Sequence, residues 1–427
     1  MRPRPVRNRI RPVAVLPALA AIAALACVGR SDPSRAPGDR ATATDAAPAV
    51  LLVSIDGFRA DYIERGLTPN LLRIGAEGVR ADGLEPSFPT KTFPNHYSIV
   101  TGLVPDHHGI VANNIWDPDL EADFGLSDRE AVGDGRWWGG EPVWVAAERA
   151  GLPTAPLFWP GSEAEIAGVR PTHWLPYDGA MEASARIEWL LDRLDRPPPD
   201  GVAFATLYFD DVDAAGHRHG PDAGATDSAI AAVDAAIGLL LERLADRGLS
   251  DRVNLVVVSD HGMSPTARDR VIFVDDYLDL STVRISDWNP LLAIWPAAGD
   301  EDRVYEALRG AHPHLQAWRK HDLPVRFCFG TNRRVAPVLA LADPGWTITT
   351  RSRYEADPGS YDGGNHGYDN AAEDMLGLFV ARGPGLRPGL RVPVLRSVDV
   401  YPLLMALLRL PPRETDADSR AAGLLSR

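Results

Sequence analysis

Three apolar stretches of this sequence run directly into acidic residues. Leu51, Leu52, Val53, Ser54 and Ile55 lead into Asp56 and Gly57. Thr206, Leu207, Tyr208 and Phe209 lead into Asp210, Asp211 and Asp213, with His217 four residues further on. Leu255 to Ser259 lead into Asp260, His261 and Gly262. A single strand-end aspartate often only caps the next helix. Three of them, two with a nearby imidazole, form a carboxylate and imidazole set suited to zinc, with positions left open for substrate. Gly57 and Gly262 let the backbone turn sharply so that the carboxylates can face one point. The set needs one more histidine. His366, in Asn365-His366-Gly367 after a glycine-rich loop, is the best candidate, while His96, His107, His108 and His219 have no partner acids and read as structural or surface residues.

A nucleophile is also required. Pro89, Thr90, Lys91, Thr92, Phe93 and Pro94 precede a helix-like stretch over 95–101 that ends at Gly102. A hydroxyl at a helix entrance feels the positive end of the dipole, and free N–H groups there can hold a phosphoryl oxygen. A metal bound to such a hydroxyl lowers its pKa, as it does for water. Thr90 and Thr92 both qualify, and either could equally be an N-cap.

These residues need elements to place them. Ligands of a parallel sheet collect outside the carboxyl ends of its strands. The runs 49–55, 202–209, 253–259 and 376–381 are continuously apolar, as strands buried on both faces must be. Helical periodicity covers 69–77, 180–194 and 227–246; the last puts Ile230, Val233, Ile237, Leu240, Leu241 and Leu244 on one stripe and stops at Gly248. The alternation implies an α/β layered core with a mostly parallel central sheet flanked by helices. Residues 285–354, with scattered Pro and Trp, read as a strand-rich insertion capping that core. No repeat and no second independent core is visible, so 49–412 is one catalytic domain, followed by a polar C-terminal tail over 413–427.

The first 26 residues read differently. Five arginines between Arg2 and Arg11 precede an acid-free apolar run over 13–26, too short to span a bilayer and shaped like a secretory signal. Cys27 directly after Ala26 also resembles a lipoprotein cleavage site, although Ala24 stands where that motif usually has Leu. Acylation of Cys27 would tether the protein to a membrane. Residues 27–48 read as a flexible tether. The expected location is exported, periplasmic or outer-surface. Cys328 is then the only cysteine left in the domain and reads as a small buried hydrophobe rather than a reactive thiol. Formal charge is −14 overall. An acidic surface argues against long nucleic acids and admits a small anionic substrate only where metals neutralise the pocket.

Longer motifs carry a resemblance. Ser87 to Tyr97, Thr101-Gly102-Leu103, His108 to Asn113, Trp138-Gly139-Gly140-Glu141-Pro142, Phe158-Trp159-Pro160-Gly161-Ser162, Asp213 to Pro221, Ser259 to Met263 and His366 to Asn370 occur in order over about 49–410. Together they resemble the nucleotide pyrophosphatase/phosphodiesterase family of the alkaline phosphatase superfamily. The resemblance implies two zinc ions per chain, one held by Asp213, His217 and His366, the other by Asp56, Asp260 and His261 and touching Thr92. It selects Thr92 over Thr90 as nucleophile and makes Asn113 a donor to a non-bridging phosphoryl oxygen. It implies that Thr92 attacks phosphorus in line and that water then hydrolyses the phospho-threonine. For a nucleotide substrate the base slot falls on Phe93 and Tyr177, with Leu126 a looser match and Trp159 and Tyr208 lining the same groove. Glu163 stands where some relatives have Asp. The competing readings are a relative acting on glycerophosphocholine or lysophospholipids, with the same metal ligands but a choline cage instead of a base slot, and a binding protein that has lost a ligand or the nucleophile.

Overall fold

Strand Ala49–Ile55 lies near the middle of a seven-stranded sheet, paired in parallel with Phe204–Phe209 on one side and Val253–Val258 on the other. The computed structural model describes residues 47–196 and 200–426. The leader expected over 1–26, Cys27 and nearly all of the tether lie outside these residues. Across the sheet the order is Leu390–Val392, Val79–Ala81, Phe379–Arg382, Val253–Val258, Ala49–Ile55, Phe204–Phe209, Thr154–Pro156. Only Phe379–Arg382 runs against its two neighbours, so the sheet is mostly parallel. That strand begins three residues later than its apolar run, because Leu376 and Gly377 instead bond to Ala60 and to Leu84 of the short strand Leu84–Glu85.

Alternation of side chains explains the continuous apolar runs. Val50 and Leu52 join Val256 and Val258 in a cluster on one face. Leu51, Val53 and Ile55 join Leu207, Leu255 and Val257 on the other, where the stripe of helix Gly224–Asp246 covers them. Among the described residues no helix is long and apolar enough to cross a membrane.

The stretch 285–354 holds a second, four-stranded antiparallel sheet: Val283–Asp287, Leu291–Pro296, Val338–Ala342 and Leu315–Arg319, in that spatial order. With helix Glu301–Leu308 it forms its own apolar cluster around Leu292, Ile294, Val304, Leu308, Val338 and Ala340, which the sequence pattern did not show. These four strands form the cap sheet.

Two local expectations fail. Cys328 is exposed, in left-handed backbone with φ 47°, while Phe327 beside it turns inward and stacks on Phe88 with ring centres 3.9 Å apart. The segment read as a polar tail returns to the body: Ala421 and Leu424 are buried in the main cluster, and the Asp416 carboxylate accepts the Val104 N–H at 2.8 Å. Polar residues dominate its composition, but two spaced apolar side chains are enough to dock it.

Candidate active site

The three acid-ended strands are the parallel trio inside the sheet, so Asp56, Asp213 and Asp260 follow its carboxyl ends on one side. Asp56 follows Ile55, and Gly57 then turns with φ 67°. A Cβ on Gly57 would lie 3.0 Å from the Cα, Cβ and Oδ1 of Asp213. Asp213 and His217 are one turn apart on helix Asp211–His219, which puts both on the same side. His366 arrives from the short strand Gly364–Asn365, paired with Ser264–Pro265.

The ligand atoms converge. His217 Nε2 is 3.4 Å and His366 Nε2 3.7 Å from Asp213 Oδ1. His261 Nε2 is 3.4 Å from Asp56 Oδ1 and 3.0 Å from Asp260 Oδ2. Asp213, His217 and His366 form one group able to hold a metal. The other acids form two overlapping groups, Asp56 with Asp213 and His261, and Asp56 with His96 and Asp260. The rings of His261 and His366 stack with centres 3.5 Å apart.

The donor chemistry fits divalent metals. Asp56 Oδ1, Asp213 Oδ1 and Asp260 Oδ2 are buried and have no hydrogen-bond partner, a costly arrangement for carboxylates unless a cation completes it. Each histidine is oriented from behind: Nδ1 of His217, His261 and His366 lies 2.9 Å from the carbonyl of Gly364, Gly262 and Thr90 respectively. A carbonyl only accepts, so Nδ1 carries the proton and the bare Nε2 faces the cluster, the arrangement of metal-binding imidazoles.

Electrostatics record the same crowding. Burial, then the charges of Asp260 and Asp213, pushes Asp56 well above the usual carboxylate range. Burial also raises Asp213. Burial acts to raise Asp260 too, but His261 and His96 beside it hold it well below that range. Three carboxylates in so small a volume cannot all stay ionised without added positive charge.

Thr92 and Thr90 separate cleanly. Helix Thr92–Thr101 starts three residues earlier than its pattern indicated, since Pro94 is tolerated in a first turn. Thr92 is its first residue, with Oγ1 3.3 Å from His261 Nε2. Thr90 is fully buried; its hydroxyl donates to the Tyr368 carbonyl at 3.1 Å and accepts the Gly367 N–H at 2.9 Å. The helix entrance is less open than expected, because Asn113 Oδ1 takes the Phe93 N–H at 3.0 Å and Pro94 has none. With its oxygen engaged, Asn113 has its amide N–H groups left to donate.

Thr92, Phe93, Asn113, Leu126, Trp159, Tyr177, Tyr208, Asp56, Asp213, His217 and His366 all line one cleft of about 310 Å³, and Asp260 and His261 lie buried beside its floor. Two of the aromatics are partly committed elsewhere. The Trp159 indole N–H donates to the His96 carbonyl at 3.0 Å, and the Tyr208 hydroxyl donates to Asp56 Oδ2 at 2.6 Å.

Several contacts were not foreseen. His96 does have an acid nearby, its Nδ1 lying 3.3 Å from Asp260 Oδ2 without a hydrogen bond between them. That nitrogen also lies 2.9 Å from the Thr92 carbonyl and Nε2 lies 2.8 Å from Ser54 Oγ, so both ring nitrogens are engaged and His96 supports the site rather than ligating. His107 pairs with Asp416 and His108 is buried against Ser98, while His219 is exposed at the end of its helix. Tyr177 donates its hydroxyl to Asp210 at 2.8 Å and its N–H to Glu163 at 3.1 Å, and Glu163 pairs with Arg129 at the mouth. These links join residues 14 to 34 positions apart, beyond the reach of local pattern.

Known proteins resemble this chain in both sequence and fold. A family model described as type I phosphodiesterase / nucleotide pyrophosphatase matches residues 50–369. Ectonucleotide pyrophosphatase/phosphodiesterase family member 5 of Homo sapiens is 38% identical over 362 residues, 84% of this chain and 74% of that protein. Bis(5'-adenosyl)-triphosphatase enpp4 of Xenopus laevis is 36% identical over 363 residues, 84% of this chain and 78% of that protein. The solved structure of an inactive form of murine ectonucleotide pyrophosphatase/phosphodiesterase 5, in complex with AMP, superposes with a TM-score of 0.84 at 37% identity, covering 89% of this chain and 100% of that one.

Proposed function

The chain belongs to the type I phosphodiesterase / nucleotide pyrophosphatase family of the alkaline phosphatase superfamily, hydrolases of phosphodiester bonds, and from that membership we propose that it releases nucleoside 5'-monophosphates with two zinc ions and a phospho-threonine on Thr92. The observation that carries the metal centre is the trio of buried, partnerless carboxylate oxygens facing three bare imidazole nitrogens. Asp213, His217 and His366 would hold one ion; Asp56, Asp260, His261 and the Thr92 oxygen would hold the other. When bound, the ions neutralise the carboxylates, lower the pKa of the Thr92 hydroxyl and stabilise charge on the attacking and leaving oxygens.

The chain's own residues supply the rest. Thr92 Oγ1 attacks phosphorus in line, the P–O bond to the leaving alkoxide or nucleotide phosphate breaks, and water from the opposite side then cleaves the phospho-threonine. Asn113 donates its free amide hydrogens to a non-bridging oxygen. Phe93 and Tyr177 offer aromatic faces to a base, with Leu126 at the rim, and a relative solved in complex with AMP supports a nucleotide as the ligand class. The one arginine or lysine lining the cleft among the described residues, Arg129, is already paired with Glu163. A second phosphate charge therefore finds no free cation, which favours diesters over monoesters.

Side-by-side rates on the nitrophenyl ester of thymidine monophosphate, nitrophenyl phosphate and glycerophosphocholine test this reading. The nucleotide ester should turn over fastest by far. Comparable rates on nitrophenyl phosphate would sink the diesterase assignment, and a preference for glycerophosphocholine would move the substrate to choline esters. Thr92→Ala should abolish turnover while zinc stays bound. The basic, apolar leader supports export, and the mass of the mature N-terminus checks it.

A further inference from the structure

The nucleophile's own neighbour is a buried lysine. Lys91, the N-cap of helix Thr92–Thr101, is 4% exposed, and its ammonium pairs with the carboxylate of Asp287, itself 5% exposed. Burying an ion pair costs desolvation that the attraction seldom repays in stability. A pair kept in such a place invites another reason for its presence.

Asp287 ends the first strand of the cap sheet, at a bulge between Ile285 and Asp287. Its Oδ2 takes Lys91, while its Oδ1 accepts the Asn114 side-chain amide at 3.2 Å and the Trp288 N–H at 3.1 Å. Lys91 also donates to the Asn289 carbonyl at 3.2 Å. One carboxylate thus grips the residue before Thr92 and the residue after Asn113. The grip extends to the third histidine's loop, since a Cβ on Gly367 would lie 3.1 Å from Lys91 Cε and 2.7 Å from Pro290 Cδ. The Lys91 carbonyl in turn anchors the first helical turn through the Asn95 N–H at 3.1 Å and its side-chain amide at 3.0 Å. Neither Lys91 nor Asp287 lines the cleft, so neither touches substrate.

We propose that Asp287, a residue of the cap sheet, is a positioning residue that sets the placement of Thr92 and Asn113 through Lys91 and Asn114. The inference rests on Thr92 being the nucleophile. A displacement of about 1 Å in a reacting group can cost on the order of 100-fold in rate without changing what is bound.

The test compares Asp287→Asn, Lys91→Met and the double variant in the zinc-loaded protein, reading kcat, KM for a nucleotide nitrophenyl ester, zinc content and Tm. Each single variant strands a buried charge and lowers Tm. Asp287→Asn should lower kcat about 10- to 100-fold, with KM and zinc content little changed. The double variant, neutral at both positions, should recover Tm while kcat stays low. Recovery of wild-type kcat together with Tm would reduce the pair to a stability element and overturn the proposal. So would wild-type kcat in folded Asp287→Asn. If the single variants do not fold, the double variant decides alone. Thr92→Ala runs in parallel: activity surviving there would remove the nucleophile assignment itself, whatever Asp287 does.

Discussion

The floor and the wall of the cleft treat polar atoms in opposite ways. On the floor, Asp56, Asp213 and Asp260 each bury an oxygen with no protein partner, while the histidines beside them are tied from behind by backbone carbonyls. Along the wall the polar groups have one another: Arg129 with Glu163, Glu163 with the Tyr177 N–H, and the Tyr177 hydroxyl with Asp210. A buried polar atom left open is expensive, so it marks a place where something outside the chain supplies the missing partner. A closed network marks a surface whose shape is set before any ligand arrives. The floor is unfinished without metal. The wall is finished without substrate.

Chelation gives the hardest test of that contrast. Stripping divalent metal should abolish turnover and lower Tm, and zinc should restore both; a chelator-treated protein with unchanged Tm would mean the floor is complete as it stands. Tyr208→Phe probes the same region more gently, since it removes the hydroxyl that donates to Asp56. Zinc affinity, read by competition with a chromogenic chelator, should fall about 10- to 100-fold. The wall should respond in KM rather than in metal content: Tyr177→Ala removes one stacking face, a loss of about 1–3 kcal/mol in binding, and a fall in zinc content there would erase the distinction between the regions.

At neutral pH the mildest test concerns a buried histidine that belongs to neither region. The His108 Nε2 lies 3.0 Å from Ser98 Oγ and 3.2 Å from the Pro94 carbonyl, and Nδ1 accepts the Ile110 N–H at 3.2 Å. With no carboxylate beside it, burial pushes its pKa down to about 3, from an ordinary value of 6.5. The unfolded chain therefore takes up a proton between those pH values that the folded chain does not. Stability should decline as pH falls from about 6.5 towards 3 and be unaffected by this group above that range. In His108→Gln that part of the acid dependence of Tm should flatten.

What the sequence conveyed follows the range of the interactions involved. Strand-end acids, the Asp213 and His217 spacing and the stripe on helix Gly224–Asp246 are local patterns, and they could be read directly. Thr90 and Thr92 could not be told apart by position, because what occupies Thr90 is Gly367 and Tyr368, more than 270 residues away. His96 looked isolated for the same reason, as it lies on a helix while Asp260 follows a strand far along the chain. The strand-rich character of 285–354 was legible, but its short antiparallel strands, a bulge and interspersed prolines hid how they pair, and with that the carboxylate that grips Lys91. Cys328 misled in another way: composition favours burial of a lone thiol, but the turn that sends Phe327 inward leaves Cys328 facing out.

Gly57 carries a consequence for how freely this site can vary. Its Cα lies against Asp213 so closely that one added methyl would press on that residue's backbone and carboxylate together, and its φ of 67° already disfavours any side chain. The separation of the strand end at Asp56 from the helix that carries Asp213 is thus gauged by the lack of a Cβ at Gly57. A substitution there would push Asp56 and Asp213 apart without altering a single ligand. The most ordinary residue of the constellation should therefore be among its least replaceable, and a site that kept all of its ligands but lost this glycine would be out of gauge.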